Sequence, residues 1–144
     1  MAPRPQKKRA EVKFIIKVVS GGIRRGEKIL ICRRPEGKNL AGYWEFAGGK
    51  AEEGESKRQA LVRECREELG ITLSVGAEIF RAVHDYPQYS VDISFFDCTI
   101  YEGQPVAKEH SRIEWVGVDE LKDYQFCPAD GALIEILSRG QSGI

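Results

Sequence analysis

The apolar and polar positions of the chain fall into short β-like runs separated by two stretches of helical character. Residues 12–20 ("VKFIIKVVS") are apolar and β-branched, "GGIRRGE" (21–27) has the composition of a turn, and "KILICRR" (28–34) resumes the apolar run. That sequence of signals predicts a hairpin. "PEGKNLAG" (35–42) reads as loop, and "YWEFAGG" (43–49) as a short strand entering a glycine loop. A helix is predicted over 56–69, where Ser56 and Gln59 have the form of a capping box and Gly70 supplies the stop. Two strands follow at 77–86 and 89–101 around a Pro-Gln turn, the second with Val91, Ile93 and Phe95 alternating with polar neighbours. "EGQP" (102–105) is a turn, 112–118 a strand and "DELKDY" a helical turn. The last helix lies in "CPADGALIEILSRG", with Pro128 in its first turn, Leu133, Ile136 and Leu137 as its packing face, and Gly140 as its end.

The order strands, helix, strands, helix defines a mixed α+β chain, and 144 residues suit one domain. We assign that domain to residues 12–140. The preceding arm, 1–11, carries Arg4, Lys7, Lys8 and Arg9 and reads as a solvated, flexible segment. Basic and acidic residues balance at 22 each, so no global field advertises nucleic acid or an anionic surface. No apolar run approaches the roughly 20 residues that span a bilayer, and no membrane partner is expected. Cys32, Cys65, Cys98 and Cys127 contain no Cys-x-x-Cys pair, which argues against a zinc site. They read as reduced, buried thiols of a cytoplasmic protein.

One octet changes the picture. In "RECREELG" (63–70) a helical wheel places Leu61, Val62, Cys65, Leu69 and the stem of Arg58 on a core face. Glu64, Glu67 and Glu68 occupy a separate arc beside it, outside the apolar contacts. Glu64 and Glu68 are a like-charge i,i+4 pair, costing about 0.2–0.5 kcal/mol, although Arg63 offsets part of the repulsion by pairing with Glu67. Water screening alone would make the patch inconsequential. A divalent cation would give it a purpose, since carboxylates, carbonyls and water suit Mg²⁺ or Mn²⁺. The glycines of "AGGK" (Gly48, Gly49) bring backbone carbonyls near the same place. Such ions commonly serve phosphate chemistry.

From Gly49 the chain runs G-x5-E-x7-R-E-C-x-E-E-x-G-I, filled by Gly49, Glu55, Arg63, Glu64, Cys65, Glu67, Glu68, Gly70 and Ile71. This resembles the Nudix box, matching eight of nine specified positions, with Cys65 standing where a bulkier aliphatic residue is usual. The resemblance implies an α/β/α sandwich with a mixed sheet that cleaves a nucleoside diphosphate linked to another moiety. It also implies that Glu64, Glu67, Glu68 and the Gly48 carbonyl bind metal, with Glu64 a candidate base, and that Arg63 and Glu55 orient loop and helix.

The likeness extends over most of residues 12–138 and resembles the MutT branch, in its CTP-pyrophosphohydrolase-like group. There it implies that Glu109 joins the metal site from a loop, that Arg34 lies near the phosphates or base, and that Phe46 lines the nucleoside pocket. Trp44 either stacks a base or belongs to the core. Asp130 stands where a MutT asparagine reads an oxidised guanine; an ionised Asp only accepts hydrogen bonds, which favours pyrimidine or broad nucleotide use. His84 and His110 are candidate proton shuttles, though a strand or loop histidine without a chemical role is the preferred reading, and Trp115 is read as packing. The expected activity is a Mg²⁺-dependent pyrophosphohydrolase, with Mn²⁺ as a substitute, acting on a nucleoside triphosphate. Its rivals are removal of pyrophosphate from an RNA 5′ end, supported only by the basic arm, and a non-catalytic nucleotide sensor, disfavoured by the complete carboxylate set. Monomer and homodimer both stay open.

Overall fold

The computed structural model describes residues 14–142. The basic arm at 1–11 lies outside them. Among the described residues, seven strands and two α-helices occur in the order β1 (Phe14–Arg25), β2 (Lys28–Arg33), β3 (Trp44–Glu45), β4 (Gly48–Lys50), α1 (Lys57–Leu69), β5 (Thr72–Asp85), β6 (Tyr89–Glu102), β7 (Arg112–Gly117) and α2 (Gly131–Ser142). Two 3-10 turns, Val118–Asp123 and Pro128–Asp130, lead into α2.

The sheet is mixed, as expected. β1 and β6 run parallel, with Val18 opposite Ile93, and all other pairs are antiparallel. Strand order is β3-β2-β1-β6-β5, with β4 joined to β1 and β7 to β2. Both faces are buried. On one side α1 delivers Leu61, Cys65 and Leu69 onto Val19, Phe96 and Cys98. On the other, Leu133, Ile134 and Leu137 of α2 pack with Ile29, Ile31, Phe46 and Phe95. Successive residues of β2 and β6 alternate between these two layers, because side chains of a strand point to opposite faces. The result is the α/β/α sandwich.

β1 differs from the pattern-based expectation. It does not turn at Gly21–Gly22 but runs through them to Arg25, and the reversal is the tight pair Gly26–Glu27, with Gly26 at φ +61°. The two glycines serve packing instead. A Cβ on Gly22 would stand 2.6 Å from Phe95 Cζ. β5 begins at Thr72 rather than 77, and its register is broken by bulges between Val75 and Phe80, which hides the alternation from a periodicity reading. Pro128 belongs to the 3-10 turn, the helix proper starts at Gly131, and it continues past Gly140 to Ser142. Its packing face uses Ile134 where Ile136 was expected; Ile136 is exposed.

Helix α1 forms as anticipated. Ser56 Oγ accepts from the Gln59 amide, the Gln59 side-chain oxygen accepts from the Ser56 amide, and Gly70 closes the helix in the left-handed region at φ +73°. The loop between β6 and β7 completes this end. The Lys108 and Val106 amides donate to the carbonyls of Glu68 and Leu69, at 3.1 and 3.0 Å, satisfying acceptors that a helix terminus leaves open.

Candidate active site

β4 and the C-terminal half of α1 set the two sides of an acidic corner. β4 pairs with β1 so that Gly49 lies opposite Val19 and Gly48 opposite Ser20. Only glycine fits here: a Cβ on Gly48 would reach 2.0 Å from the Val19 carbonyl oxygen, and one on Gly49 would lie 2.5 Å from Glu64 Cδ. The Glu64 carboxylate therefore rests directly on the glycine strand. The Gly48 amide donates to Glu68 Oε1 at 3.3 Å, so its N–H contributes to the site in addition to any role for its carbonyl.

The three box glutamates do not share one environment. Glu68 was expected beside the core face but is 8% exposed, at the rim of the α1-side core. Burial first, then hydrogen bonding to and the charge of Glu64, push its carboxyl up to about 9. Glu67 points outward and is held by Arg63 Nη1 at 3.3 Å. Among the described residues no three His, Cys, Asp or Glu side chains are drawn together as a ready metal cage. Val62, expected on the core face, is only half-buried.

Arg63 organises the corner. Its Nε and Nη2 grip both oxygens of Glu55 at 2.6 and 3.0 Å, Nη1 also reaches Glu64 at 3.1 Å, and Nη2 donates to the Lys50 carbonyl at 3.1 Å. Glu55 in turn accepts from the Glu52 amide at 2.9 Å. One planar guanidinium thus ties the 50–55 loop to α1. Arg63 and Glu55 are the two residues to which the sequence resemblance gave an orienting role.

Beside this corner opens a cleft of about 510 Å³, within the size range of small-molecule sites. Glu64, Glu68, Gly48, Arg34, Phe46, Glu109 and Asp130 all line it. Phe46 is buried against Phe95 and Phe126 and forms apolar wall. Arg34 is committed within the protein: Nε and Nη2 bond Asn39, and Nη1 bonds Glu45 at 3.0 Å. Burial, and then the charge of Glu45, lift Asp130 to about 7. Trp44 is not part of the cleft lining. It is buried edge-on against Tyr124 in the α2-side core, so of its two sequence readings the structure places it in packing.

One cleft residue escaped the sequence reading and another was set aside by it. Glu45 presents a carboxylate from β3, and His110, set aside there as having no chemical role, reaches it with Nε2 at 3.0 Å. The available signal was a glutamate between two buried aromatics in "WEF", where period two turns it away from the core they enter.

The donor set fits a divalent cation. Glu64 and Glu68 are hard oxygen donors pressed together beside a glycine strand, and the burial and Glu64 charge that raise the Glu68 carboxyl are a crowding that a divalent cation would relieve.

An acidic helix edge beside a glycine strand, at the mouth of a cleft in an α/β/α sandwich, defines a hydrolase built for phosphoanhydride substrates. The NUDIX domain model matches residues 19–135, and the chain belongs to the Nudix family: it is a Nudix hydrolase. It is 40% identical over 121 residues to the CTP pyrophosphohydrolase of Escherichia coli K12, covering 84% of this chain and 90% of that protein. It is 35% identical to the 8-oxo-dGTP diphosphatase of the same organism over 84% of this chain and 95% of that one. Among solved structures, the solution structure of the E. coli ORF135 protein is similar at a TM-score of 0.75 and 39% identity, covering 85% of this chain and 88% of that one. The crystal structure of MutT from Methanosarcina mazei Go1 matches at a TM-score of 0.75 and 27% identity, covering 90% and 96%.

Proposed function

We propose that this Nudix hydrolase is a Mg²⁺-dependent pyrophosphohydrolase that converts a nucleoside triphosphate, of the CTP or modified-dNTP kind, to the monophosphate and pyrophosphate. The observation that carries the reading is the Glu64–Glu68 pair resting on the Gly48–Gly49 strand at the mouth of a nucleotide-sized cleft. The relatives named for CTP and for 8-oxo-dGTP support the substrate class. Four free, buried thiols support a reducing, cytoplasmic setting.

Glu64, Glu68 and Glu67 would hold the cation, joined from the loop by Glu109 and from β4 by the Gly48 carbonyl. Bound there, Mg²⁺ supplies charge neutralisation for the phosphate oxygens, and Mn²⁺ can replace it. Glu64 takes a proton from the attacking water as the new O–P bond forms, and the bridging bond to pyrophosphate breaks. Arg63, through Glu55, keeps that carboxylate and the 50–55 loop in place. Phe46 excludes water from the nucleoside end. Asp130 and Glu45 present polar groups to the base.

The test is pyrophosphate release, with and without Mg²⁺, over a panel of canonical, methylated and oxidised (d)NTPs, with a 5′-triphosphorylated RNA as comparison. The free nucleotides should be hydrolysed, and Glu64→Gln should abolish turnover while the fold persists. A Glu64→Gln enzyme with near wild-type turnover sinks the mechanism. The RNA reading rests on the basic arm outside the described residues, and RNA hydrolysis exceeding that of every free nucleotide would revive it.

A further inference from the structure

His110 sits in the β6–β7 loop immediately after Glu109, with its side chain 5% exposed. Its Nε2 is 3.0 Å from Glu45 Oε2. The other Glu45 oxygen accepts from Arg34 Nη1, also at 3.0 Å, and Arg34 is itself clamped on Asn39. A carboxylate flanked by two donors accepts from both, so Nε2 carries a proton toward Glu45 and Nδ1 is the nitrogen left over. That Nδ1 is buried with no partner among the described residues.

The side chain is not what docks the loop. Three backbone bonds do so: Val106 to Leu69, Lys108 to Glu68 and Ser111 to Arg33. An imidazole buried with one nitrogen unsatisfied is an unfavourable way to fill space that an aliphatic residue could fill. What it gains is the contact with Glu45, a cleft-lining carboxylate fixed from opposite sides by His110 and Arg34.

We infer that His110 is a positioning residue: its Nε2–H, opposite Arg34, holds the Glu45 carboxylate in a single orientation facing the cleft, and that fixed acceptor selects nucleotides whose base carries an amino donor. The inference rests on the proposed nucleotide hydrolysis. It assigns His110 no contact with substrate and no share in the proton transfer. Releasing one side of Glu45 lets the carboxylate sample other rotamers, which weakens recognition without touching Glu64.

A double-mutant cycle tests this, using dCTP (4-amino) and dUTP (4-oxo) with Mg²⁺. His110→Ala should lower kcat/KM for dCTP about tenfold, chiefly through KM, as loss of a hydrogen bond to a charged group implies. The same change should narrow the preference for dCTP over dUTP. His110→Gln, whose amide reaches the place of Nε2, should restore most of the loss. In a Glu45→Gln background His110→Ala should add less than about twofold, since coupled residues are not additive. An equal loss in both backgrounds, or equal wild-type kcat/KM for dCTP and dUTP, overturns the inference.

A second measurement needs no turnover. Nitrogen-15 NMR of the two histidines, separated by His84→Gln, should show His110 in the Nε2–H tautomer, and Glu45→Gln should release it. An Nδ1–H tautomer in the wild type overturns the tie. If the wild type hydrolyses neither nucleotide, the functional reading fails, and with it the selection, while the NMR result still decides the His110–Glu45 contact.

Discussion

The Glu64 carboxylate lies on the Cα of Gly49: a Cβ built there would stand 2.7 Å from each of its oxygens. No rotation of the methyl relieves such an approach, so Gly49→Ala must push Glu64 off the glycine strand. Misplacement by about 1 Å can cost on the order of a hundredfold in rate. Gly49→Ala is expected to lower kcat by about that factor while circular dichroism stays native. Full activity in Gly49→Ala would show that Glu64 need not occupy this position.

Glu64 and Glu68 crowd together with Arg63 reaching only Glu64, and burial with the nearby Glu64 charge pushes the Glu68 carboxyl up to about 9. A ligand that binds only the folded state stabilises it by mass action. Millimolar Mg²⁺ should therefore raise the melting temperature of the wild type by several degrees, and of Glu64→Gln by much less. Identical melts with Mg²⁺ and with EDTA would count against a cation at this corner.

Arg63 holds Glu55, Glu64, Glu67 and the Lys50 carbonyl through one planar group. A lysine has charge but cannot span these partners. Arg63→Lys is expected to destabilise the fold by about 1–3 kcal/mol and to reduce kcat more than it raises KM. Wild-type kinetics in Arg63→Lys would reduce the network to a simple charge.

Asp130 is lifted to about 7 by burial and by the charge of Glu45. Below that pH it is a donor, and above it only an acceptor. KM for the preferred nucleotide should change across pH 6–8, and Asp130→Asn should flatten the change. The sign for stability follows from the same shift. The folded state keeps a proton that the unfolded chain loses near 4, so this group's stabilising contribution is full below that pH and disappears as pH rises through about 7. Asp130→Asn should consequently be more stable relative to wild type at pH 8 than at pH 5, by a few kcal/mol at most. A constant difference between the two proteins over that range would contradict the shift.

Helix α1 and its caps were legible in the chain because every signal that makes them is local. Ser56 and Gln59 meet within one turn, and Gly70 ends the helix through its own backbone. The spacing from Gly49 to Ile71 is local as well, and it carries the family signature. Local pattern failed where distant packing decides. Gly21 and Gly22 carry the composition of a turn, yet Phe95 occupies the space a side chain would need, and the strand continues through them.

The site divides along the same line. The sequence by itself determined which carboxylates ride on one helix and which glycines precede them, since both follow from periodicity and chain order. Only the tertiary structure decided that Glu68 turns into the core edge while Glu67 turns outward to Arg63, because the sheet beneath α1 sets where burial begins. The pairing of His110 with Glu45 across 65 residues was likewise beyond any spacing rule. They meet only because β2 pairs on one side with β3, which carries Glu45, and on the other with β7, whose preceding loop carries His110.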